Sequence, residues 1–254
     1  MRALFLTSSL DTNDKLEDGT RVAKKFPNNN HIIDNLEKYL VAHNNLLIVA
    51  SSPEKYDITD LHADVNKKSF ATTLGFKNFA ILDDRTITQA QQLVNWADLI
   101  LLSGGHLPTQ NKFFHRIDGF GKMLQQSNAV VVGVSAGSMN CASTVYCPPE
   151  EEGEAVDPNF QRFFPGLHLT NINVVPHISD IRNEQVDGIS TYNGFILPDS
   201  NRCDIVAIPD GSYILYDGTT STVYGEAYLL HAGNEKKICD NGKSLIIDNL
   251  EKYL

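Results

Sequence analysis

A three-layer α/β domain built on a doubly wound, mostly parallel sheet is predicted by three features of the chain. Five short apolar runs are continuous rather than alternating, as strands buried on both faces must be. Helical patterns lie between most of them, the alternation that produces right-handed crossovers. Small-residue peptides stand directly after two of the runs, where the strand carboxyl ends of such sheets collect ligands.

The runs are Ala3–Leu6, Leu46–Ala50, Phe79–Leu82, Leu99–Leu102 and Val130–Val134. Between the first and second, the pattern from Ile33 to Ala42 places Leu36, Tyr39 and Leu40 on one helical face. The next helix runs from Thr59 to Gly75, a glycine suited to a left-handed cap. Further helices are expected over Thr86–Trp96 and Asn111–Gln126. Beyond residue 200 the segments Asp204–Ile208, Ser212–Tyr216, Thr222–Leu230 and Lys243–Ile247 alternate and are separated by Pro209-Asp210-Gly211, Asp217-Gly218 and Asn241-Gly242. These read as C-terminal β-hairpins. The nonapeptide Ile32–Leu40 recurs, identical, at Ile246–Leu254, without the surrounding periodicity of a solenoid.

A length of 254 residues fits a single domain, 1–254, and 42% hydrophobic residues suffice for its core. A net charge of −10, with lysines only in pairs such as Lys67-Lys68 and Lys236-Lys237, excludes nucleic acid and anionic membrane surfaces as expected partners. No run of about 18 apolar residues is present to span a membrane, and Met1–Ser8 reads as a first strand rather than a signal core. Cys141, Cys147, Cys203 and Cys239 form no C-x-x-C pair, so neither zinc nor any other metal is expected, nor a cofactor. They read as reduced thiols of a cytoplasmic protein.

The chemistry centres on Gly133-Val134-Ser135-Ala136-Gly137, between the run Val130–Val134 and a segment able to start a helix. Small residues flanking a serine at a strand-to-helix turn are what a nucleophile elbow requires, and the Ala136 N–H is then placed to face an oxyanion. Against this stands a plain tight turn, which the strand before and helix after make the weaker reading. Ser103-Gly104-Gly105-His106 follows Leu99–Leu102, and a glycine N–H of this loop supplies a second donor unless the pair only makes a turn. Of eight histidines, His177 follows the apolar stretch ending at Pro176 and so stands at a strand end. His168 precedes an apolar run, while His43 and His115 lie among polar helical neighbours. Four carboxylates, Glu150, Glu151, Glu152 and Glu154, lie between Ser135 and His177 and could orient the imidazole or simply be solvated.

Together Leu101–Gly105, Gly133–Ser138, Val156-Asp157-Pro158-Asn159-Phe160 and Val175-Pro176-His177 resemble the peptidase E and cyanophycinase family of serine peptidases, from the first strand to about Gly211. The resemblance implies a flavodoxin-like sheet related to the class I glutamine amidotransferases, with Ser135 as nucleophile, His177 as base, and Gly105 with Ala136 as oxyanion donors. Anchoring on Val156-Asp157-Pro158 selects Glu152 as third triad member; counting forward from the serine selects Glu150, with Glu151 between. The nearer landmark favours Glu152. The expected substrate is a small peptide, a dipeptide beginning with aspartate or a similar residue; a homodimer is left open. The chain departs from the family in carrying His106 after the glycine pair and in lacking an arginine in Ser143–Tyr146, which leaves Arg162 or Arg182 to bind a substrate carboxylate. Other readings are a carboxylesterase using His231 as base and a non-catalytic binding protein of the same fold.

Overall fold

The computed structural model describes residues 1–253, in which each of the five apolar runs forms a strand. The main sheet has eight strands in the order Ser244–Ile246, Ser221–Tyr224, Tyr213–Tyr216, Ala3–Thr7, Val130–Val134, Leu99–Leu102, Asn45–Val49, Asn78–Leu82. The last five are mutually parallel, and the first three add antiparallel to the side of Ala3–Thr7. Strand periodicity sends alternate residues to opposite faces. Phe5, Ile48, Leu101 and Val132 pack with Leu36, Phe70 and Leu74 from helices Ile32–Tyr39 and Tyr56–Leu74. Leu4, Leu6, Val49, Ile100 and Val131 pack with Val94, Phe113, Phe114 and Leu124 from helices Ala90–Trp96, Leu107–Arg116 and Phe120–Gln126. Both faces are covered, which explains the unbroken apolar runs. The edge strand Asn78–Leu82, open on one side, is the least buried of them.

A second sheet orders Asn173–Val175, Ile205–Ala207, Ala227–His231 and Asn234–Cys239. Val174 and Val206 on one of its faces join the main core, and Val175, Ile205 and Ala207 on the other cover Tyr146, Tyr192 and Ile196. The carboxyl-terminal segments therefore do more than fold as successive hairpins. Ile205–Ala207 runs parallel to Asn173–Val175. The expected unit Thr222–Leu230 is cut at Gly225, where φ is +95°, and its halves enter different sheets.

The expected helix Asn111–Gln126 is likewise two helices, separated where Gly119 takes φ +65°. Gly75 caps the long helix with φ +74°, as its type suggests. A two-stranded ribbon, Asn13–Lys15 with Arg21–Ala23, is unannounced by any apolar pattern because little of it is buried. The repeated nonapeptide takes two shapes. Its first copy is the helix Ile32–Tyr39. In the second, Ile246 ends a strand opposite Thr222, the Ile247 and Ser221 backbones bond, and a 3-10 turn spans Leu250–Tyr253; Leu254 lies outside the described residues. Among the described residues, no helix is long and apolar enough to cross a membrane.

Candidate active site

Ser135 leaves the carboxyl end of Val130–Val134, a strand flanked on both sides by parallel neighbours. Its backbone sits at φ +51°, ψ −117°, a conformation costly for a residue with a side chain and held here by its surroundings. The Ser135 N–H donates to Thr7 O at 3.0 Å, and Ser135 O accepts from the N–H groups of Ser138 and Met139 at 2.8 and 3.1 Å. Gly137 must be glycine, since a Cβ there would lie 2.1 Å from the Leu102 carbonyl oxygen. The helix that follows is only Ala136–Met139, a single turn, so its macrodipole is slight and the useful group is the Ala136 N–H itself. Among the described residues that N–H has no acceptor.

The glycine loop reaches the same point from the neighbouring strand. A Cβ on Gly104 would lie 3.2 Å from Ser135 Cβ, and one on Gly105 would meet Ser51 Oγ at 2.4 Å. The backbone is thus pressed between Ser135 and Ser51, with Ser103 O fixed by the Gln110 side chain at 2.6 Å. The Gly105 N–H also lacks an acceptor among the described residues. His106 caps the next helix and spans two loops: its Nδ1 meets Thr109 Oγ1 at 2.8 Å and its Nε2 meets Glu154 Oε1 at 2.9 Å.

His177 follows Asn173–Val175 in a left-handed conformation, φ +53°. Its N–H donates to Ser8 Oγ at 2.8 Å, and its Nδ1 lies 2.7 Å from Asp210 Oδ1, which also accepts the Ser8 hydroxyl at 2.5 Å. A carboxylate only accepts, so Nδ1 carries the proton and Nε2 is left free as a base. Burial opposes charging His177, but the hydrogen bond it donates to Asp210 and the charges of Asp210, Asp180 and Glu150 raise its pKa above the usual histidine value. Burial likewise pushes Asp210 up, and its bonds from His177 and Ser8 bring it below the ordinary carboxylate value.

Ser135, Gly105 and His177 line one cavity of about 370 Å³. No hydrogen bond joins the serine hydroxyl to the imidazole, a contact that commonly tightens only with substrate bound. Glu152 is not brought to this group: it is exposed and makes no ion pair among the described residues. Glu150 is exposed as well, yet nearer in effect, since its charge acts on His177. Desolvation by the surrounding protein pushes it up to about 7, moderated by the charges of His106 and His177. Glu154 belongs to the loop's own framework, for burial raises its pKa but the N–H groups of Glu150 and Glu151 and the His106 bond bring it below the ordinary value. His106, Glu151 and Glu154 bring possible cation donors within 4.8 Å of one another, but His106 and Glu154 already satisfy each other.

Sequence reasoning missed Asp210, the carboxylate that bonds His177. Its peptide, Pro209-Asp210-Gly211, carries only a turn signal, and the parallel pairing that sets it beside His177 has no local mark. The rival bases are elsewhere: His231 bonds Asp204 at 2.6 Å, and His168 lines a separate cavity with Tyr216 and Asp248. Arg162 and Arg182 are paired with Asp199 and Glu235 at 2.7 and 2.8 Å and do not line the cavity that holds Ser135. Its remaining wall comes from Ser9–Asn13, Arg21 and the helix residues His62, Val65 and Asn66.

Residues 20–224 match the sequence model of peptidase family S51. No curated protein matches the chain. Among solved structures it is similar to a peptidase from an acI-B1 actinobacterium, with a TM-score of 0.70 at 17% identity over 96% of each chain. It is also similar to a provisionally assigned peptidase E from Listeria monocytogenes EGD-e, with a TM-score of 0.54 at 14% identity over 94% of this chain and all of that one. At such identities these two likenesses concern the fold.

Proposed function

The chain belongs to peptidase family S51 and is a peptidase, and from that premise we propose that Ser135 is the nucleophile of a serine peptidase whose base is His177. Asp210, rather than the expected Glu152, holds the imidazole. The observation that carries this reading is the Ser8–Asp210–His177 hydrogen-bond set at the rim of the cavity into which the strained Ser135 is raised. Ser135 Oγ attacks a peptide carbonyl while His177 Nε2 takes its proton. The oxyanion is received by the free N–H groups of Gly105 and Ala136. The imidazolium, stabilised by Asp210, then protonates the leaving amine, and water hydrolyses the acyl-enzyme by the same base.

The substrate proposed is a short peptide, a dipeptide beginning with aspartate or a similar residue. Glu150, whose charge acts on His177, favours a free amino end, and the net charge of −10 disfavours large polyanions. No metal or cofactor enters this chemistry, the unit of action is the whole domain 1–254, and four free thiols suit a cytoplasmic setting. The test is fluorophosphonate labelling of wild type and Ser135→Ala, with hydrolysis of Asp-X, Glu-X and neutral dipeptides. Labelling and hydrolysis confined to wild type support the reading. Hydrolysis at the wild-type rate by Ser135→Ala overturns it.

A further inference from the structure

We propose that Arg21, on the ribbon that sequence reasoning did not foresee, binds a carboxylate of the substrate and is the specificity-determining residue of the cavity. The inference rests on the peptidase reading above. Among the described residues lining this cavity, Arg21 is the only side chain permanently cationic. The one carboxylate there, Asp11, pairs not with Arg21 but with Lys24, which it shares with Asp14, each at 2.8 Å. Among the described residues Arg21 has no ion-pair partner, and its sole side-chain bond is from Nη1 to Asn13 Oδ1 at 3.2 Å across the ribbon. That bond steadies one edge of the guanidinium and leaves its other donors for a ligand, in the fork that matches a carboxylate. His62 does not compete for an anion: burial, and then the Arg21 charge, depress its pKa and keep it neutral.

In a chain of net charge −10, an uncompensated guanidinium at the nucleophile's cavity is a site for a negative group. Arg162 and Arg182, the arginines that sequence reasoning put forward for this role, are spent on Asp199 and Glu235. Two carboxylates of an aspartyl dipeptide could supply the anion, the acyl side chain or the carboxyl terminus. The ribbon contributes nothing to the reacting atoms, so Arg21 selects substrate without taking part in bond making.

The experiment measures binding without turnover, by calorimetry on Ser135→Ala and on Ser135→Ala with Arg21→Gln or Arg21→Lys. The probes are Asp-Leu, Asn-Leu and the carboxamide of Asp-Leu. Loss of a charged hydrogen-bond pair should weaken Asp-Leu by about 10- to 100-fold in Arg21→Gln, with partial recovery in Arg21→Lys. If Asn-Leu is indifferent to Arg21, the side-chain carboxylate is the group bound; if the carboxamide is indifferent, it is the terminus. No binding of Asp-Leu to Ser135→Ala, no loss in Arg21→Gln, or an equal loss for all three probes overturns the proposal. Failure of wild type to cleave Asp-Leu while Asp-Leu still binds through Arg21 would instead count against the peptidase assignment of Ser135 and His177.

Discussion

Asp210→Asn separates the charge of the proposed orienting group from its geometry. The asparagine Oδ1 can still accept both bonds that Asp210 accepts, from His177 Nδ1 and from Ser8 Oγ, so the imidazole stays in place and only the charge is lost. Opposite charges centred about 4 Å apart attract by about 1 kcal/mol in water and about 4 kcal/mol at the effective permittivity of a protein surface. The Asp210 side chain is 53% exposed and that of His177 33%, so solvent screening holds the attraction to about 2 kcal/mol, about 30-fold in kcat/KM. Asp210→Ala also frees the ring and should cost about 10³-fold. The pH profile carries a sign as well. His177 acts as a base only when neutral, and its raised pKa puts the acid limb of kcat/KM above the ordinary histidine range. Removing the Asp210 charge moves that limb to lower pH. The assay is kcat/KM for Asp-Leu from pH 5 to 9, with Glu152→Gln as the control expected to match wild type. An Asp210→Asn profile superimposable on wild type, or a larger loss in Glu152→Gln, would refute the assignment.

Gly137→Ala places a methyl 2.1 Å from the Leu102 carbonyl and should destabilise by about 3 kcal/mol or more, read as a lowered urea midpoint; an unchanged midpoint contradicts the packing described. Glu150 binds its proton more tightly folded than unfolded, so its contribution to stability is present below pH 4.5 and is lost as pH rises through about 7. The melting temperature of Glu150→Gln should therefore pull ahead of wild type across that window, and a constant difference would speak against a raised Glu150 pKa. Leu36→Ala, at a site with no exposure, should cost about 2–5 kcal/mol. Its counterpart in the second copy of the nonapeptide, Leu250→Ala, is only partly buried and should cost distinctly less.

What could be read from the sequence divides along a physical line. The five parallel strands were legible because burial on both faces leaves unbroken apolar runs, as in Leu99–Leu102 and Val130–Val134. Ser135 was legible because its turn demands small residues in adjacent positions. Asp210 was not, because it meets His177 through strand pairing between segments over thirty residues apart. The ribbon bearing Arg21 escaped for the opposite reason: it buries too little to impose a pattern. Glu152 and its neighbours show the limit of counting along a loop, where spacing fixes no direction for a side chain.

The two shapes of Ile-Ile-Asp-Asn-Leu-Glu-Lys-Tyr-Leu mean that the groove under the first helix has a second ligand of identical composition in the same molecule. More than two hundred residues separate the copies, so on the ribosome the first has a head start of roughly 10–40 s. Refolding from denaturant abolishes that lead. Both copies then compete for the groove that Ile32 and Leu36 fill, and a fraction of chains should be delayed by the wrong occupant. A polar substitution at Leu250 that leaves the first copy intact should remove the delay.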